Sequence, residues 1–324
     1  MKFHDIDVCG LEEEYVLSAL RSGNISGRGP NTLAVESYLQ KTLKAKRVLM
    51  TTSCTHALEM AVRLGGIKEG DEVLLPSYTF PSTANAVLAV GATPILIPVE
   101  KNNLCVSLST IKKYTSKRTR AVIAVHYGGV CNDIDAIAEH CDDEKIILIE
   151  DAAQAYGSVY KNKKLGTFGH MGCYSFHGTK NDVSGEGGAL VINKDKDGLI
   201  SQAERLLEKG TDRMAFMRGE AAKYEWKGYG SSYVPSDILM ALLRGQLETS
   251  EMRMERRREI IKAYTRTFSN LECEEVTFLK VLNWNLNKIR IKHLVKALIN
   301  LCPMVTYTMF FLNRQKRPDA FIKP

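Results

Sequence analysis

Residues 172–188 read GCYSFHGTKNDVSGEGG. The β-forming residues Cys173, Tyr174 and Phe176 give way to Gly178-Thr179-Lys180 and then to a glycine-rich reversal, after which Ala189-Leu190-Val191-Ile192 supplies a second apolar run. That pattern predicts two strands with Lys180 on the turn between them. A turn lysine is most often a solvated residue. Upstream, however, Ile146-Ile147-Leu148-Ile149 runs directly into Glu150-Asp151-Ala152-Ala153-Gln154. An apolar run that ends in a carboxylate fits a buried parallel strand delivering an acid to the carboxyl edge of its sheet, where α/β proteins bind ligands. Asp151, Gln154 and Lys180 together make a candidate Schiff-base site.

Outward from this centre, strands and helices alternate. Strands are predicted at 47–51, 72–75, 94–98, 120–125 and 146–150, with helices at 54–65, 82–90, 107–114 and 133–140 between them. This order predicts an α/β fold with a mostly parallel sheet and helices on both faces. Two helices precede it, at 12–22 and at 31–43, the second capped by Asn31. Downstream, a helix at 199–209 and a polar loop over 210–234 lead into one long helix from Ser236 to about Phe268. The expected organisation is a large domain over 1–235, a connecting helix over 236–270 and a small domain over 271–324, with a further amphipathic helix around 288–298.

Composition narrows the class. The 324 residues, 44% hydrophobic, suffice for one large core and a smaller one. The first ten residues, MKFHDIDVCG, lack a signal-peptide apolar stretch, and no apolar run reaches the length of a bilayer. A cytoplasmic location without a membrane span is therefore expected, and the eight cysteines, scattered and without a C-x-x-C pair, suit reduced thiols. The formal net charge of +7 resides in residues 280–324, where nine Lys/Arg face one acid, leaving 35 basic against 36 acidic residues elsewhere. A basic excess confined to a tail argues against a nucleic-acid groove.

Other motifs fall at the ends of the predicted strands. Thr52-Ser53-Cys54-Thr55-His56 lies between a strand and a helix, where free N–H groups and the helix dipole make either a phosphate site or an ordinary N-cap. Cys54 beside His56 also suggests an activated thiol, but no Asn or Asp partner is identifiable in the sequence. His170, Cys173 and His177 have metal-compatible spacing on a strand and hairpin rather than in a closed four-ligand pattern, so no metal is expected. Gly185-Glu186-Gly187-Gly188 precedes a strand, which excludes the dinucleotide fingerprint. Pro76-Ser77-Tyr78-Thr79-Phe80-Pro81 brings two aromatics to the edge that carries Asp151, as core residues or as a platform for a flat ring.

In order along the chain, TTSCTHALEMA, PSYTFPSTANA, VHYGGV, IEDAAQAYGS, LGTFGHMGCYSFHGTKN, GEGGA and GSSYVPSDILMA resemble the DegT/StrS sugar-nucleotide aminotransferases. That resemblance implies a fold type I enzyme dependent on pyridoxal 5'-phosphate. It implies that Lys180 bonds the cofactor and shuttles the proton, that Asp151 pairs with the pyridinium nitrogen, and that Gln154 meets the phenolic oxygen. Phe80 would stack on the ring, and Ser175 with the backbone at Thr55 and His56 would hold the phosphate. Ser232 stands where many relatives carry an asparagine that reaches the partner subunit's cofactor phosphate, and because the sites of such relatives form between two subunits, the resemblance implies a homodimer. The implied reaction moves an amino group from an amino acid, typically glutamate, to the 4-keto carbon of a dTDP-4-keto-6-deoxyhexose, in the branch that serves enterobacterial common antigen synthesis. Related sugar dehydratases carry histidine at the lysine position, so Lys180 favours amino transfer. The likeness thins after about residue 270 to TMFFLN at 308–313, which predicts an incomplete small domain. An impaired remnant that binds cofactor without turnover is the alternative reading.

Overall fold

The structure, a computed structural model, describes residues 6–269. The chain divides into Ile6–Arg256 and a second unit of Met1–Asp5 with Arg257–Pro324. The sheet and the helices that cover it belong to the first unit. The expected small domain over 271–324 and the helix around 288–298 lie outside the described residues.

The apolar runs form β1 (Arg47–Thr51), β2 (Glu72–Pro76), β3 (Thr93–Ile97), β4 (Thr119–Val125) and β5 (Ile147–Asp151), followed by the short hairpin β6 (Val159–Tyr160) and β7 (Lys163–Lys164), then β8 (Met171–Ser175) and β9 (Gly188–Ile192). Seven of them make one sheet in the order β1-β9-β8-β5-β4-β2-β3. β8, β5, β4, β2 and β3 pair in parallel, while β9 pairs antiparallel with both β1 and β8. The mostly parallel α/β sheet expected from the alternation is therefore present, with β9 its one reversed strand among the described residues.

Side-chain alternation sends successive strand residues to opposite faces. Val48, Met50, Leu74, Leu148 and Val191 join one buried cluster, while Leu49, Val73, Leu75, Ile149 and Leu190 join the other. The first face is covered by α2 (Pro30–Leu43), α6 (Ile134–Asp143) and α9 (Asp237–Glu248), through Leu39, Ile137 and Leu243. The second is covered by α3 (Cys54–Leu64), α4 (Pro81–Leu88) and α7 (Leu199–Leu207), through Leu58, Val87 and Leu206. α1 (Leu11–Ser22) lies against α9, α5 (Leu108–Tyr114) joins β3 to β4, and α8 (Arg213–Met217) with α10 (Ser250–Ser269) completes the set. Among the described residues no helix is long and apolar enough to cross a membrane.

Three local expectations are corrected. The single helix over 236–270 is two helices, because the Thr249 hydroxyl turns back onto the Gly245 carbonyl at 3.0 Å and Ser250 and Arg253 reach instead for Asp182. α8 occupies part of the polar stretch read as loop. Asn31 does not cap α2, whose N-cap is Gly29 and whose first N–H groups are met by a distant carboxylate: Asp237 accepts from the N–H of Thr32 at 2.7 Å and of Asn31 at 3.2 Å. Glycine at 29 is required there, since a Cβ would fall 2.5 Å from the Asp237 carboxyl carbon.

Candidate active site

The carboxyl ends of the parallel strands, with the reversed start of β9, enclose one cavity of about 360 Å³. The end of β1 leads through Ser53 into the first turn of α3, and β2 leads through Thr79 and Phe80 into α4. β4 continues to His126 and Tyr127, β5 ends on Asp151 before Ala153 and Gln154, and β8 ends on Ser175 before His177 and Lys180. Glu186 and Gly187 close the ring at the start of β9. Asp151 has the same parity as Ile149 on β5, which turns it toward α3 and away from α6.

Asp151 is only 5% exposed. Its oxygens accept from the Thr83 hydroxyl at 2.8 Å and the Ala153 N–H at 3.2 Å, both neutral donors. Burial raises its proton affinity above the ordinary carboxylate value, against smaller opposing effects from Thr83, the Ala153 N–H, His126 and Lys180. Half-buried Lys180 lies near enough for its charge to favour ionisation of Asp151 and Cys54. Gln154 is fixed through Oε1, which accepts from the Gly128 N–H at 2.7 Å and leaves the amide NH2 unspent in that bond. Phe80, the N-cap of α4, is 71% exposed at the cavity.

At the start of α3 the Ser53 hydroxyl accepts from the His56 N–H at 3.2 Å, so the N–H groups of Cys54 and Thr55 remain as the orphan donors of that turn. The Thr55 hydroxyl bonds that of Ser82 at 2.7 Å. β9 passes directly beneath this turn: a Cβ on Gly188 would meet the Cys54 nitrogen at 2.4 Å, which no side chain permits.

Of the residues singled out from sequence, Thr55, Phe80, Asp151, Gln154, Ser175 and Lys180 line this one cavity. His56 and Ser232 are not among its lining residues. The His56 ring is hydrogen-bonded to the Thr52 hydroxyl and packs 5.1 Å from the Tyr233 ring, while exposed Ser232 bridges to Glu208. Tyr78 packs on Tyr127, with rings 4.7 Å apart. Burial holds the Cys54 thiol well above its usual range, which speaks against a thiolate nucleophile. His170 accepts the Leu148 N–H, Cys173 is buried in the core and His177 bonds Thr179, so these three side chains serve separate contacts.

Sequence reading missed Thr83, which holds Asp151, and passed over His126. The His126 ring bonds Glu150 at 2.8 Å, and Glu150 also accepts from the N–H groups of Gly166, Phe168 and Gly169 at 2.6–2.7 Å. The signal for His126 was its place at the end of an apolar strand, within VHYGGV. Thr83 gave none.

Among known proteins, residues 9–301 match the DegT/DnrJ/EryC1/StrS aminotransferase family. The chain belongs to this family. The match extends beyond residue 270, where the recognisable motifs thin. Over 265 residues the chain is 32% identical to GDP-perosamine synthase of Vibrio cholerae, covering 82% of this chain and 70% of that protein. It is 34% identical over 269 residues to the putative pyridoxal phosphate-dependent aminotransferase EpsN of Bacillus subtilis, covering 81% and 67%. The aminotransferase TlmJ of Streptoalloteichus hindustanus superposes with a TM-score of 0.76 at 30% identity, over 84% of this chain and 72% of that one.

Aminotransferases of this DegT family work with pyridoxal phosphate. The residues present fit that group. A buried carboxylate held only by neutral donors suits a cationic ring nitrogen. The open turn of α3, beneath which only glycine fits at 188, suits a phosphate. Exposed Phe80 suits the face of a ring.

Proposed function

We propose that this chain moves an amino group from an amino acid, glutamate in the first instance, to the 4-keto carbon of a dTDP-4-keto-6-deoxyhexose for cell-surface polysaccharide synthesis, working as a cytoplasmic homodimer. The observation that carries the reading is the meeting of Lys180, Asp151 and Gln154 in one cavity at the carboxyl edge of the sheet.

Bound pyridoxal phosphate supplies an electron sink for the pair left when the Cα–H bond of the amino donor breaks. In this reading Lys180 would hold the group through Nζ, and the same Nζ would take the Cα proton of the amino donor and carry it for the 1,3-shift. Asp151 keeps the proton on the ring nitrogen, and the free Gln154 amide donates to the phenolic oxygen. The N–H groups at Thr55 and His56, with the Ser175 hydroxyl, hold the phosphate. The Ser53 cap on the His56 N–H shifts most of that duty to Thr55 and to Cys54. Phe80 covers the ring and limits water, and Ser232 serves the partner subunit's phosphate.

The GDP-perosamine synthases among the relatives favour a second reading, in which the nucleotide is GDP rather than dTDP. One experiment separates the possibilities. Purified protein with pyridoxal phosphate is expected to develop a visible absorbance band that is lost in Lys180→Ala and bleached by glutamate. The bleached protein is then offered the 4-keto-6-deoxyhexoses of dTDP and of GDP, and the sugar is weighed by mass spectrometry. An aminated dTDP-sugar supports the first reading and an aminated GDP-sugar the second. Bleaching without either product sinks both and leaves the remnant.

A further inference from the structure

Lys180 stands on a segment pinned at several points. At its base Ser184 N–H donates to the Phe176 carbonyl at 2.7 Å and Gly178 N–H to the Gly185 carbonyl at 2.8 Å, just beyond the β8–β9 pairing. Within the turn Lys180 N–H donates to His177 at 2.9 Å, and His177 Nδ1 lies 3.0 Å from the Thr179 hydroxyl. These contacts close the loop on itself but do not tie it to the body of the unit. Asp182, two residues beyond the lysine, joins it to the helices.

Asp182 is 1% exposed. Its Oδ2 accepts from the Ser250 hydroxyl at 2.7 Å and its Oδ1 from Arg253 Nη2 at 2.7 Å, both from the first turns of α10. Arg253 is itself held: Nη1 donates to the Thr249 hydroxyl at 2.7 Å, Nη2 also meets the Gln246 carbonyl, and Glu12 lies 3.9 Å away while accepting from Gln246 at 2.6 Å. The pair thus joins the lysine segment to α10, the end of α9 and the start of α1. A buried ion pair adds little net stability over an apolar packing, yet it fixes its partners to one geometry and fails badly when one is removed.

We infer that Asp182, clasped by Ser250 and Arg253, is the positioning residue for Lys180, holding the lysine segment in register with the cavity. The inference rests on the role proposed for Lys180, since only a reacting lysine needs its place held. Without the clasp the segment keeps its base pairing and loses the bonds that Asp182 makes to α10, so Lys180 samples positions away from Asp151.

The test uses the full chain with Ser250→Ala, which removes one bond and leaves the ion pair, and Asp182→Asn. In cofactor-free protein, trace acylation followed by mass spectrometry reads the labelling of Lys180 relative to exposed Lys101. With pyridoxal phosphate, titration of the visible band reads its Kd. The Lys180 labelling ratio is expected to change in both variants, and the Kd to rise about tenfold, the scale of a sub-ångström misplacement. If Asp182→Asn does not fold, Ser250→Ala decides alone. Unchanged labelling and Kd in a folded variant overturn the inference, whatever happens to its melting temperature. Changed labelling in a protein whose wild type shows no visible band keeps the clasp and sinks the role of Lys180 instead.

Discussion

A carboxylate with 5% of its surface exposed and only neutral donors is an expensive group for a chain to keep. Because burial raises the proton affinity of Asp151, the folded chain binds that proton more tightly than the unfolded one. The penalty is absent below the ordinary value of 3.8, grows as pH rises from there toward the raised one, and is complete above it. Asp151→Asn keeps both hydrogen bonds, with its NH2 facing Thr83, and removes the charge. We expect it to raise the unfolding free energy of the cofactor-free protein at pH 7 by roughly 0.5–2 kcal/mol while abolishing amino transfer, read by denaturant titration and by assay. No gain at pH 7, or activity retained, contradicts this account of the residue. Its neighbour Glu150 behaves oppositely: Glu150→Gln turns one of its two oxygens into an NH2, so two of its four contacts are opposed, at least one of them a backbone N–H, while the remaining oxygen keeps its pair. That change is expected to destabilise by about 3 kcal/mol or more, seen as a lower denaturant midpoint.

At the scale of elements, the parts that could be read from sequence are those whose signal is local. β5 and β8 announced themselves as apolar runs, and Asp151, Gln154 and Lys180 were found because they follow those runs at once. Contacts between distant positions left no local trace. Thr83 reaches Asp151 across 68 residues, Ser250 reaches Asp182 across 68, and Asp237 reaches Thr32 across 205. α2 illustrates the cost of reading locally: Asn31 is a good capping residue two positions too late, and the anion that caps the helix comes from the first turn of α9. Asp237→Ala should therefore weaken α2 as well as α9, lowering stability by about 1–3 kcal/mol and speeding amide exchange at Asn31 and Thr32 first. Uniform exchange across the unit would show that the cap is not what anchors α2.

For the unit as a whole, the cavity draws its lining from the ends of β1, β2, β4, β5 and β8 and the start of β9. A ligand there meets segments that follow or begin six of the seven strands of the sheet. Pyridoxal phosphate at one hundred times its Kd should stabilise the fold by about 2.7 kcal/mol, read as a raised melting midpoint, and Lys180→Ala should lose most of that gain. An unmoved midpoint would mean the site does not close on the group. The strand order carries one more consequence, for synthesis. β1 finds no partner in β2 or β3; it waits for β9, whose Gly188 pairs with Thr51. At roughly 5–20 residues per second the ribosome keeps the first strand waiting on the order of ten seconds, while β2, β3, β4 and β5 are free to assemble. Chains stalled before residue 188 should leave Arg47–Thr51 open to protease, and chains stalled well past residue 192 should not. The first strand to leave the ribosome is thus among the last to be seated, and until then its apolar residues wait without the neighbour that buries them.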